Sequence, residues 1–86
     1  MSTLPPSSIR PFDDASLERI AYDAARTVPT KEPNDQNRLG YHLWTLLKEK
    51  KGSVAAAVHQ SGARLLVPDK EAVATIESAL KRAGAL

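Results

Sequence analysis

The sequence predicts a small α+β domain in the order α-α-β-β-α, with the helices packed on a two-stranded antiparallel hairpin. Three segments repeat apolar residues at the spacing of an α-helix, two in the first half and one at the end. Two short apolar runs separated by a glycine-containing turn lie between the second and the last of these segments. A chain of 86 residues without cysteine has the size of one domain with a modest core.

Residues 1–12 are predicted to form an extended, mobile arm before a single domain of residues 13–86. The arm holds three of the six prolines, which fix φ and lack a backbone donor. It has neither the basic nor the apolar region of a secretory signal, and no stretch of the chain approaches the roughly 20 apolar residues of a membrane span. We therefore expect a cytoplasmic protein without a membrane partner.

The first helix is expected to begin at Asp13 or Asp14, because aspartate caps free N–H groups and suits the positive end of the helix dipole. It should end near Arg26, since Pro29 disfavours helical geometry at Val28. Its apolar face consists of Leu17, Ile20, Ala21, Ala24 and Ala25.

The second helix is expected to begin at Asn34 or Asp35 and to end before Gly52. Gly40 inside it destabilises the helix by about 1 kcal/mol relative to alanine, which indicates close approach of another element. Its apolar face consists of Leu39, Leu43, Leu46 and Leu47.

The hairpin is predicted from two strands at 53–59 and 63–67, joined by the turn Gln60-Ser61-Gly62. The alternative continues the second helix through the alanines at 55–57, but the valines in this segment favour strands. The last helix should begin at Asp69 and stop at Gly84. Because an isolated hairpin is marginal in water, we expect it to pack on the helices or to pair with a second copy.

Catalysis, metal binding and cofactor binding are not indicated. There is no cysteine, and His42 and His59 lack the partners that a zinc site needs. Ser61 lies two residues from His59, but turn chemistry explains it. Adjacent Asp13 and Asp14 are explained as caps, and no glycine-rich phosphate loop or small-molecule site is evident.

The leading functional hypothesis is a non-enzymatic protein-interaction module or adaptor that is expected to self-associate as a homodimer, with a contact surface on the second helix; its partner is a second copy of itself or another protein. Tyr41 and Trp44 lie three residues apart on the second helix, away from its leucine stripe. Trp and Tyr are enriched as anchors in protein interfaces. The competing interpretation places Trp44 at the edge of the core and leaves Tyr41 half-exposed.

The alternative hypothesis is a small regulator that binds double-stranded DNA. The chain has a formal charge of +2, and its positive charge is concentrated after residue 37. A helix followed by a hairpin is similar to the recognition helix and wing of winged-helix DNA binders, although only in topology. Under this hypothesis the contacts to DNA would come from Arg38, Lys48, Lys50, Lys51 and Arg64.

Overall fold

A computed structural model describes residues 13–86, and in this range the chain forms four helices and no strand. The helices are α1 (Asp14–Ala25), α2 (Pro33–Glu49), α3 (Val54–Ser61) and α4 (Asp69–Arg82). The arm predicted for residues 1–12 lies outside the described residues. None of the four helices has both the length and the apolar character needed to cross a membrane.

The prediction of an α+β fold is wrong, because the first predicted strand is helix α3. Alanine is the best helix former, and the Ser53 hydroxyl accepts a hydrogen bond from the Ala56 N–H at 3.1 Å, which caps the helix. Gly62 ends α3 in the left-handed conformation at φ 67°. The buried residues lie at helical spacing: Val54, Ala57, Val58 and Ser61.

The alternative of one helix running on through the alanines is also wrong. The backbone of Lys50 takes the left-handed conformation at φ 57°, and Gly52 has φ 84°. These two residues turn the chain between α2 and α3, so that α3 packs back against α2.

The second predicted strand, at 63–67, is not a strand and forms a β-bridge at one residue only. Leu65 forms an isolated antiparallel bridge with Thr30, and the Leu66 N–H donates to the Pro29 carbonyl at 3.0 Å. The segment therefore ties the α3–α4 loop to the α1–α2 loop, and the described residues contain no hairpin for a wing.

The other three helices lie close to their predicted positions. The Asp13 carboxylate accepts the Ser16 N–H at 2.8 Å and caps α1, and this hydrogen bond lowers the pKa of Asp13. Helix α2 begins at Pro33, slightly before the predicted start. Proline suits the first position of a helix. Gly84, at φ 82°, follows the end of α4.

The core lies among the four helices, where α2 packs against α1 and α3, and α4 packs against the same two helices. Gly40 is buried under the ring of Tyr22 from α1, and a methyl group at Gly40 would lie 2.6 Å from its Cε1. The close approach predicted from this glycine is therefore confirmed. The largest fully buried apolar side chains are Leu39, Leu43, Ile76, Leu80 and Val28.

Candidate functional site

The outer face of α2 carries two aromatic rings and a lysine in contact with each other. Tyr41 is 54% exposed, and its ring meets that of Trp44 edge to face, with centroids 6.4 Å apart and an interplanar angle of 83°. The Lys48 Nζ lies 4.1 Å from the centroid of the Trp44 ring, within range of a cation–π interaction. We call Tyr41, Trp44 and Lys48 the aromatic–lysine surface.

Trp44 lies at the border between this surface and the core. It is half-buried and packs against the hydrophobic cluster. Within residues 13–86, its Nε1 is the one buried side-chain nitrogen or oxygen without a hydrogen-bond partner. Such a donor destabilises a protein by about 1–3 kcal/mol. The contacts of the indole include its packing on the cluster and the approach of Lys48.

A polar cluster lies at the N-terminal end of α2, around the fully buried carboxylate of Asp35. Arg38 Nη2 binds its Oδ1, Arg64 Nη2 lies 3.3 Å from its Oδ2, and the Glu32 N–H donates to Oδ2 at 3.1 Å. Burial raises the pKa of Asp35, but hydrogen bonds and charge from Arg64, together with the hydrogen bond from Glu32, outweigh burial and leave the pKa lowered. The carboxylate is therefore ionised at neutral pH.

The five basic residues proposed to contact DNA fall into two groups. Arg38 and Arg64 meet at Asp35, whereas Lys48, Lys50 and Lys51 lie at the other end of α2. Arg38 and Lys48 are ten residues apart, which corresponds to about 15 Å along the helix. Arg64 lies in the α3–α4 loop, so the predicted surface of helix 2 plus hairpin is not formed in the described residues.

An open groove of about 420 Å³ lies at the C-terminal end of α2, beside the aromatic–lysine surface. Its apolar part comes from α1, α2 and the C-terminal residues, and Lys48 and Lys50 give it a positive edge. The main lining residues are Leu17, Leu46, Leu47, Ala85 and Leu86.

The residues considered for catalysis either form hydrogen bonds with the backbone or lie exposed without a catalytic partner among the described residues. The buried Ser61 hydroxyl donates to the Val58 carbonyl at 2.7 Å and accepts from the Ala63 N–H at 3.1 Å. His59 is exposed on α3, and His42 Nδ1 lies 3.1 Å from a backbone oxygen of its own helix. Within residues 13–86, no three His, Cys, Asp or Glu side chains are grouped to hold a metal ion.

Sequence reasoning missed the role of Asp35, which it treated only as a possible helix cap. The spacing of Asp35 and Arg38 at i, i+3 does indicate a local ion pair. Arg64 reaches the same carboxylate only because the α3–α4 loop returns to the start of α2, and no local pattern in the sequence contains that information.

Comparisons with protein-family models, with curated proteins and with solved structures find no match for this chain. The functional argument therefore depends on the side chains of α2 and of the loop that contacts its N-terminal end.

Proposed function

We propose that this domain is a non-enzymatic protein-interaction module that binds another protein through the aromatic–lysine surface of α2. The observation that carries the proposal is the ring of Tyr41, more than half exposed and in contact with Trp44. Large exposed apolar side chains are few in residues 13–86, where the others are Leu66 and Leu86.

The geometry of the three side chains suits an interface anchor. Trp44 is already packed on one side, so binding would restrict few additional rotamers. The edge-to-face contact also orients Tyr41 before binding. Aromatic anchors of this kind commonly contribute most of the energy of an interface, surrounded by contacts that matter less.

The charge around the surface favours an acidic partner. Lys48 belongs to the surface, and Lys50 and Lys51 follow the end of α2, while Glu49 is the acidic residue among them. A symmetric homodimer would place the same positive patch on both sides of the interface, which is unfavourable. We therefore propose a different protein with an acidic contact surface, rather than a second copy.

The test replaces Tyr41 with a photo-crosslinking phenylalanine analogue in the full chain and identifies crosslinked proteins by mass spectrometry. The matched control carries the analogue at Leu66, which is 59% exposed and lies outside α2. A purified partner is then titrated against the Tyr41→Ala and Leu66→Ala variants. We expect about tenfold weaker binding for Tyr41→Ala and unchanged binding for Leu66→Ala.

Several outcomes would overturn the proposal. One is the same set of crosslinked proteins from both positions; another is equal affinity of the two alanine variants. Light scattering that finds a stable dimer through this face at high and low salt would replace the acidic partner with a second copy. Salt-dependent binding of random duplex DNA, lost on Lys48→Gln, would assign the surface to nucleic acid.

A further inference from the structure

Arg38 and Arg64 are brought together although they come from different parts of the chain. Arg38 belongs to the second turn of α2, and Arg64 to the loop that follows α3. Both guanidinium groups bind oxygens of the Asp35 carboxylate, and Arg64 also places its Nε 3.4 Å from Oδ1. Because one carboxylate bridges them, the two groups lie within about 6–8 Å of each other.

Both side chains keep free hydrogen-bonding capacity on the solvent side. Arginine has five N–H donors, and the contacts to Asp35 use only some of them. The side chain of Arg38 is 44% exposed and that of Arg64 is 58% exposed, whereas Asp35 is completely buried. N–H donors of both side chains are therefore accessible to a second oxyanion from the solvent side.

The local charge also favours an anion. Two guanidinium groups against one carboxylate leave one positive charge uncompensated. The neighbouring charged residues, Lys31 and Glu32, offset each other. The backbone holds the loop in position, because the Lys31 N–H donates to the Arg64 carbonyl at 3.0 Å. The donors are thus oriented before a ligand arrives, which reduces the entropy lost on binding.

We infer that Arg38 and Arg64 form a binding site for a single oxyanion, a carboxylate or phosphate group presented by the partner protein. The guanidinium fork matches both groups in a bidentate geometry. This inference rests on the proposed function in one respect, namely that the partner of the α2 surface supplies the group. The site itself depends only on the two arginines and Asp35, and free anions test it without any partner.

The experiment titrates the ¹⁵N-labelled full chain with inorganic phosphate and, separately, with acetate, at constant pH and ionic strength. The side-chain Nε–Hε signals of the arginines report directly on the site. We expect saturable shifts of the Arg38 and Arg64 signals, with a dissociation constant in the millimolar range for a free ion, while other arginines such as Arg82 shift little. Arg38→Gln and Arg64→Gln should each weaken binding about tenfold.

The matched control is Lys70→Gln, which removes the same charge from the exposed start of α4 and should leave the affinity unchanged. Arg38→Lys tests the fork, because it keeps the charge and loses the bidentate geometry. Circular dichroism and thermal unfolding establish that each variant is folded. Linear, non-saturating shifts, equal weakening by Lys70→Gln, or full affinity in Arg38→Lys would each overturn the site.

The ion that binds identifies the source of the oxyanion. Saturation by phosphate alone indicates a phosphorylated side chain, and saturation by acetate indicates Asp or Glu of the partner. If the free ions bind as expected but Tyr41→Ala does not affect partner binding, the proposed function fails and the anion site stands. If Tyr41 is required for partner binding but neither ion gives saturable shifts, the anion site fails and the proposed function stands.

Discussion

The two faces of α2 differ in how far their side chains are buried. On the inner face, Leu39, Leu43 and Leu47 are buried in the hydrophobic core that all four helices share. On the outer face, Tyr41 is more than half exposed and Lys48 covers the ring of Trp44. The inner face therefore determines whether the domain folds, and the outer face is free to contact another molecule.

The comparison teaches that one helix is able to place its stabilising residues on one side and leave the other side exposed for the binding that we propose. A substitution on the inner face should change the free energy of unfolding. A substitution on the outer face should change the proposed binding of another protein or the fluorescence of Trp44. Gly40 lies between the two, in contact with α1.

The largest effect is expected from Leu43→Ala on the inner face. Leu43 is fully buried, and removing its side chain leaves a cavity, so the free energy of unfolding should fall by about 3 kcal/mol. Urea unfolding followed by circular dichroism measures the change. The matched control is Leu66→Ala, an identical deletion at an exposed site, which should change stability by less than about 0.5 kcal/mol. Equal losses would mean that the inner face does not hold the core.

A smaller effect is expected from Gly40→Ala. The added methyl group would lie 2.6 Å from Cε1 and 2.9 Å from Cγ of Tyr22, so the ring must move. Overpacking of this kind destabilises a protein by about 1–3 kcal/mol, and the higher helix propensity of alanine offsets about 1 kcal/mol of it. Thermal unfolding should therefore give a net loss of about 1 kcal/mol, the middle of these ranges.

The Tyr22→Ala background provides the control for this prediction. Without the ring, Gly40→Ala keeps only the gain in helix propensity, and the same substitution should become stabilising by up to about 1 kcal/mol. A double-mutant cycle that finds no coupling between the two positions would contradict the packing described for α1 and α2.

The smallest effect on stability is expected from Lys48→Met on the outer face. The substitution keeps an unbranched side chain as far as Cε and removes the ammonium group from the ring of Trp44, a loss of at most about 1 kcal/mol. The emission of Trp44, the single tryptophan of the chain, should nevertheless change in wavelength and intensity. Lys51→Met is the control and should leave the emission unaltered. A loss of several kcal/mol in the free energy of unfolding would mean that Lys48 stabilises the fold, and would contradict its assignment to the aromatic–lysine surface.

Much of the fold follows from periodicity and local chemistry. The apolar spacing predicted α1, α2 and α4 to within a few residues, one of the two aspartates offered as caps (Asp13) does cap α1, and Gly40 correctly indicated close approach of another element. These features are encoded within a few turns of chain, which is the range over which sequence patterns are informative.

The segment at 53–67 could not be assigned in the same way. Its two apolar runs are short, and short apolar runs do not distinguish a strand from a buried helix by period alone. Valine favours strands and alanine favours helices, so the residue propensities of this segment do not decide between a strand and a helix. The cap at Ser53 and the buried face shared by Val54 and Val58 decide for a helix, but burial depends on the tertiary fold.

The candidate site was predictable in part. Tyr41 and Trp44 lie away from the leucine stripe of α2, as their offset indicated. The position of Trp44 at the core edge and the half-exposure of Tyr41 are both those of the competing interpretation. The pairing of Arg38 with Arg64 was not predictable, because it depends on the loop after α3. A role for these residues in binding remains a proposal.

The bridge between Thr30 and Leu65 and the ion pair between Asp35 and Arg64 close a loop that contains α2 and α3. Closing so long a loop loses chain entropy, whereas contacts between helices adjacent in sequence form at little entropic loss. We therefore expect this closure to form after the folding transition state. Contacts that form so late slow unfolding and leave the folding rate almost unchanged. Arg64 would then set the lifetime of the folded domain rather than the speed with which it folds.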